Sequence, residues 1–220
     1  MIQALGGEAW LNVQTITEEG RAYSFYHDQP SGAGVVYWRF WKWPDKDRVE
    51  LTKNRDWVIL HTGDKGYELT FRGVTPEEQK KLDEYLRRRN NSLQYVLRRW
   101  LNEKGVALFY EGPSLAARKQ TDRVTVLNSE NEGVTIDIDT ASHLPVSRTF
   151  VWRDPTDKQR NEEGTIYDNY KTIQGIATPM SITSTRNGDM INQSFITSVE
   201  YNREMPDSLF AATPENYKHK

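Results

Sequence analysis

Among the 220 residues, the side chains able to hold a metal or move a proton are few and scattered. The four histidines, His27, His61, His143 and His219, fall on strands, a turn and the tail, and no two stand at ligand spacing. Each reads as structural or solvent-facing. One acidic cluster, Asp137, Asp139 and His143, lies in the stretch GVTIDIDTASHLP (133–145). There Val134, Ile136 and Ile138 alternate inward, so Thr135, Asp137 and Asp139 share a solvated face before a turn. A calcium or zinc ion would need more oxygen ligands, or better-placed nitrogens, than this segment supplies.

The chain has no G-x-S-x-G elbow, no phosphate-binding loop, no H-E-x-x-H helix and no dinucleotide fingerprint. It has no cysteine, which removes disulfides, thiolate metal sites and cysteine nucleophiles together. No catalytic residue, metal or cofactor is therefore expected, and a hydrolase would require a buried acid–base pair that the pattern does not display.

A basic cluster remains, Arg87, Arg88 and Arg89, with Arg98 and Arg99 further on. Two readings fit it: a solvated helix face carrying long side chains, or an electrostatic contact with lipid headgroups or an acidic partner. The net charge of −2 and the lack of a recognised module argue against nucleic acid.

Those arginines sit on the one long helical pattern, about 76–104. Thr75 is placed to cap it, Pro76 suits the first helical position, Glu78 completes a capping box and Lys104-Gly105 forms a stop. Leu82, Tyr85, Leu86, Leu93, Val96, Leu97, Trp100 and Leu101 recur at helical spacing, with Asn90-Asn91 as a point of kinking or splitting. A shorter helix around 1–9 is weakened by Gly6-Gly7. Everything else reads as short strands between turn signals: 9–17, 20–28, 34–43, 47–53, 56–62 and 66–72 before the helix, then 106–111, 115–120, 123–129, 133–140, 144–153, 163–173, 178–186 and 190–202 after it. Asn187-Gly188 marks a hairpin, and connections this short make the sheet antiparallel.

The run VVYWRFWKW (35–43) is the most telling of these strands. Val36, Trp38 and Phe40 point one way, and Val35, Tyr37, Trp41 and Trp43 the other with Arg39 among them, so both faces require a cover. The expected fold is α+β, a curved and mostly antiparallel sheet of about 11 to 13 strands wrapping a central helix, in one domain over 1–220. If Trp38, Phe40, Trp57, Ile59, Phe150 and Trp152 share the concave face with Leu82, Leu86 and Leu97, the gap beneath the helix is a greasy cleft suited to an acyl chain. At about 0.8 kcal/mol per buried methylene, roughly a dozen carbons would gain several kcal/mol there. The alternative is that the same aromatics fill a closed core.

ALGGEAWLNV (4–13), WKWPDKDRVE (41–50), TGDKGYEL (62–69), DIDTASHLPV (137–146), YKTIQGIATPMSI (170–182) and PDSLF (206–210), in this order, resemble the bacterial outer-membrane lipoprotein-sorting proteins of the LolA/LolB-like superfamily. The resemblance implies an unclosed barrel with a helical lid, and a non-catalytic periplasmic or outer-membrane-associated carrier of lipid or lipoprotein acyl chains. An export signal or anchor segment is then expected before Met1. In the carrier of this family a basic residue precedes the turn proline and helps hold the lid; here Trp43 takes that place before Pro44, so that mechanism does not carry over. Arg48 is the nearest candidate for a polar contact at the cavity. The competing reading is an envelope sensor or protein-interaction module of the same fold, and peripheral membrane contact fits either. One copy is expected to act alone, although long aromatic edge strands could pair between copies.

Overall fold

The computed structural model describes residues 1–217. Fourteen strands form one antiparallel sheet: β1 (Thr15–Tyr26), β2 (Gln29–Pro30), β3 (Val35–Lys42), β4 (Lys46–Leu51), β5 (Trp57–Thr62), β6 (Lys65–Thr70), β7 (Gly73–Pro76), β8 (Ala107–Ala116), β9 (Lys119–Leu127), β10 (Gly133–Asp139), β11 (Pro145–Arg153), β12 (Arg160–Ile173), β13 (Ile176–Arg186) and β14 (Asp189–Tyr201). Their spatial order is β7-β6-β5-β4-β3-β1-β14-β13-β12-β11-β10-β9-β8, with the short β2 paired to β1. Two hairpin meanders are thus joined at their chain ends by the β1–β14 ladder, and β7 and β8 are left as free edges. The sheet is unclosed.

The segment between those two edges is helical: α3 (Gln79–Asn90), α4 (Leu93–Arg98) and a 3-10 turn at Trp100–Asn102. The expected single helix over 76–104 therefore starts later and is split. Thr75 and Pro76 do not cap it, because they pair with Glu68 and Tyr67 as the end of β7, and the Glu77 amide donates to the Gly66 carbonyl. Ladder bonds outcompete the capping box there. The split at Asn91 is a restart, since the Ser92 hydroxyl accepts from the Tyr95 amide as a true N-cap. At the chain start, α1 (Ile2–Leu5) and α2 (Glu8–Leu11) replace the strand expected from residue 9, and 20–28 merges with the preceding residues into β1. Gly6 separates these helices at φ +129°, where an added Cβ would lie 2.8 Å from the Gly175 carbonyl oxygen. Asn187-Gly188 forms the expected hairpin, both residues at positive φ.

Two apolar clusters result, one on each side of the sheet. The inner one packs Leu93, Val96, Leu97 and Trp100 against Trp41, Ile136, Phe150 and Ile176, closed at one end by Leu5 and Trp10. The outer one packs Val58, Leu60 and Leu69 under Met205 and Phe210 of the C-terminal segment, with Phe40 and Tyr67 at its margin. This segment is the second cover that the two-faced β3 demanded, and it corrects the expectation for three residues. Trp38 and Phe40 lie on the outer face, within 5.0 and 5.7 Å of the Arg55 guanidinium. Arg48, 2% exposed, lies on that face too, paired with Glu50 at 2.6 Å and donating to the Leu209 and Asn216 carbonyls at 3.2 and 2.7 Å.

Arg48 is thus the pin that holds the tail to the sheet. Removing one partner of a buried, hydrogen-bonded pair is costly. Arg48→Ala is expected to lower stability by about 3 kcal/mol in urea denaturation and to make residues after Met205 sensitive to protease while the β1–β14 ladder stays protected.

Candidate functional site

Strand register lines up two rows of side chains beneath the helices. Ile16, Trp41, Asp47 and His61 are neighbours across β1, β3, β4 and β5, and Glu18, Arg39, Val49 and Ile59 form the next row. Between these rows and the helical segment lies a cavity of about 660 Å³, open to solvent, within the range of small-molecule sites. A smaller inner chamber of about 120 Å³ adjoins it, and Ile16, Arg39, Gln94, Tyr167 and Ile182 border both. The inner chamber is walled largely by apolar side chains, including Leu5, Trp10, Leu93 and Ile196.

The outer cavity is more polar than expected. Lys81, Glu84, Tyr85, Arg88 and Arg89, spaced on one face of α3, turn toward it, whereas Leu82 and Leu86 do not line it. Opposite them runs a chain of polar contacts. Arg39 grips Asp47 with two bonds of 2.8 Å; Tyr85 donates to the same carboxylate at 3.4 Å; His61 stacks on the Tyr85 ring at 3.4 Å and meets Glu77 Oε2 at 2.9 Å. Burial acts to lower Arg39, but the adjacent Asp47 carboxylate wins and holds the guanidinium charged well above its ordinary range. Burial raises the Glu18 carboxyl, which accepts a 2.5 Å bond from the Tyr37 hydroxyl.

Of the apolar residues expected in one cleft, Ile59 lines the outer cavity, and Trp57 shares its strand face at the exposed start of β5. Phe150 belongs to the inner core, with Trp152 packed against it. Leu97 borders a separate apolar pocket beside α1, together with Ile136 and Val126. The three consecutive arginines are tied to the protein itself. Arg87 lies over the Trp152 ring at 4.5 Å, Arg88 pairs with Glu163 at 2.7 Å, and Arg89 donates to the Gly63 carbonyl at 2.5 Å and to Asp64 at 3.2 Å. Burial opposes ionisation of Glu163, yet Arg88 and Arg186 together hold it below the ordinary carboxylate range. These ties seat α3 on both halves of the sheet.

Two interior residues escaped the sequence reading. Arg148 is 6% exposed and donates to the Asn91 carbonyl and, at 2.7 Å, to Thr165, which anchors the break between α3 and α4 to β11 and β12. Glu77 reaches over Gly66 to His61, a placement that a Cβ at Gly66 would obstruct. Strand alternation was the available signal for Arg148, since Val146, Arg148 and Phe150 share a face; nothing in the sequence marked Glu77. Among the described residues the His61 side chain makes its one hydrogen bond with Glu77.

Asp137 and Asp139 lie on the face opposite Val134 and Ile136, but that face is not solvated at Asp137 as expected, since the residue is 4% exposed beneath its partners. Asp137 is held by Arg123 at 2.9 Å and by Ser147 at 2.7 Å, and Asp139 accepts from Ser142 and the Ala141 amide within its turn. No group of three metal-ligating side chains occurs among the described residues. His27 and His143 sit in turns at positive φ, and His219 lies outside the described residues. No helix among the described residues is long and apolar enough to cross a membrane.

Burial lowers the His61 pKa, against the pull of Glu77 and Asp47 and with Arg39 adding to the depression. The folded value lies below the ordinary 6.5, so the unfolded chain binds more protons as pH falls. The stability contributed by neutral His61 is full above pH 6.5 and drains away below it. His61→Phe keeps a ring on Tyr85 but cannot titrate; its urea midpoint is expected to fall less than that of the parent chain between pH 7 and pH 5.

No family model matches the chain, and no curated protein matches its sequence. Solved structures do match. A DUF1329 family protein from Desulfovibrio piger superposes with a TM-score of 0.63 at 8% identity, covering 95% of each chain. A domain assigned to outer membrane lipoprotein-sorting proteins, from Vibrio parahaemolyticus, gives 0.55 at 9% identity over 90% of this chain and 89% of its own. A LolA superfamily protein from Nitrosomonas europaea gives 0.55 at 12% identity over 91% and 90%. With its unclosed antiparallel sheet wrapped around a helical segment, the chain has the LolA-like fold.

Proposed function

We propose that this chain acts as one unit, a non-catalytic carrier that shelters the acyl chain of a lipid or lipoprotein between sheet and helices. The observation that carries this reading is the cavity of about 660 Å³, open to solvent and continued inward by an apolar chamber. A closed core would fill this space with side chains. The tail would lie against Ile16, Val49, Ile59 and Ile182, while the charged face of α3 stands at the polar side of the cavity. The likeness in fold to a lipoprotein-sorting domain supports the same reading and points to the bacterial envelope, periplasmic or at the outer membrane.

A second reading, an interaction module of the envelope, is favoured by one feature. The free edge strand β8 exposes Leu108, Phe109, Tyr110 and Leu115, and such an edge suits pairing with an extended partner segment.

The two readings separate by experiment. Delipidated chain is expected to bind the neutral probe N-phenylnaphthylamine with a change in tryptophan emission. Ile182→Trp, which fills the passage between the chambers, is expected to weaken binding roughly tenfold, the equivalent of about two methylenes left unburied. Failure of the delipidated chain to bind the probe, with tryptophan emission unchanged, would overturn the carrier reading and leave the interaction module.

A further inference from the structure

Arg98 is a half-buried cation at the edge of the inner chamber, and among the described residues no carboxylate stands against it. It is the last residue of α4, one turn beyond Gln94, and both border the inner chamber. Its guanidinium lies 3.8 Å from the centroid of the Trp43 ring. Several arginines meet carboxylates, Arg39 with Asp47, Arg48 with Glu50, Arg88 with Glu163 and Arg123 with Asp137, while the buried Arg148, which does not line the chamber, is bonded to the Asn91 carbonyl and Thr165. Among the described residues no carboxylate pairs with Arg98, and its buried Nη1 has no hydrogen-bond partner. A charged donor left unsatisfied is costly, and unlike Arg148, whose Nε is also unsatisfied, Arg98 borders the chamber.

The chamber's other ionisable groups are already engaged. Arg39 is neutralised by Asp47, and the Glu18 carboxyl is bonded to Tyr37 and pushed by burial toward its neutral form. One uncompensated positive charge among apolar walls calls for one negative charge on an apolar body. A carboxylate matches the guanidinium fork through two parallel bonds and carries that single charge. A phosphate would bring more charge than Arg98 alone balances.

Building on the carrier reading, we propose that the inner chamber receives the carboxylate of a single-chain fatty acid, head first, on Arg98, with the tail running past Ile16 and Ile182 into the outer cavity. The ligand class is then an ionised fatty acid, and Arg98 sets the preference for charge.

Calorimetric titration of the full delipidated chain with decanoate and with decanol, at one pH, tests this. The acid is expected to bind about 10- to 100-fold more tightly than the alcohol, the range of a charge-assisted bond. Arg98→Gln should erase that preference by weakening the acid far more than the alcohol, and Arg98→Lys should restore part of it. Because the Arg98 side chain makes no hydrogen bond among the described residues, both variants are expected to keep the parent's circular dichroism. Equal binding of acid and alcohol to the parent chain, or an undiminished preference in Arg98→Gln, would overturn the head-group assignment while the carrier reading stands. Binding of neither ligand would overturn both.

Discussion

The pairing of β1 with β14 is the constraint on which the rest of the molecule depends. It brings residues from the two ends of the chain into the middle of one sheet and so forces the mid-chain strands β7 and β8 out to the edges. Those edges are then joined by the helical segment alone, which must cross the hollow of a twisted sheet to connect them. The helices thus lie inside the curve as a consequence of connectivity, and the hollow beneath them is the part of the interior that the connection does not fill. Long-range closure of this kind places a large loop entropy on a single ladder. The length of β1, with its bulge at Glu19-Gly20, is what makes that ladder extensive.

The two helices are held differently. The α4 segment buries Leu93, Val96 and Leu97 in the inner core, so apolar area secures it. By contrast α3 is seated largely through polar and cationic contacts: Arg87 on Trp152, Arg88 on Glu163, Arg89 on Gly63, Tyr85 between His61 and Asp47. Such contacts are individually weaker than core packing and more sensitive to salt and pH. Of the two helices bordering the outer cavity, α3 is therefore the less firmly fixed.

Coverage of both faces of β3 follows from its composition, but by two different covers. Tyr37 and Trp41 are buried on the inner side, while Phe40 meets the C-terminal segment on the outer side, where Arg48 and Glu50 are sealed beneath it. The aromatic richness that suggested a ligand is half accounted for by the chain's own tail. The cavities on the inner side are bordered by charged groups as well as apolar ones.

Much of the architecture could be read from local pattern, because strand alternation, turn residues and the apolar stripe of α4 act over a few neighbouring residues. The antiparallel meanders, the Asn187-Gly188 hairpin, the weak point near Asn91 and the inward alternation of Val134, Ile136 and Ile138 were all visible in this way. Local pattern was silent on which side of the sheet is concave, since period-two alternation separates two faces without saying which one curves inward. Only the tertiary structure put Trp38, Phe40 and Arg48 outside, turned the charged face of α3 toward the cavity, set Arg148 under the helix break and placed Arg98 on Trp43 with no carboxylate partner among the described residues. Each of these depends on contacts between residues far apart in the chain, and propensity and periodicity carry no information about such contacts until the β1–β14 ladder has closed.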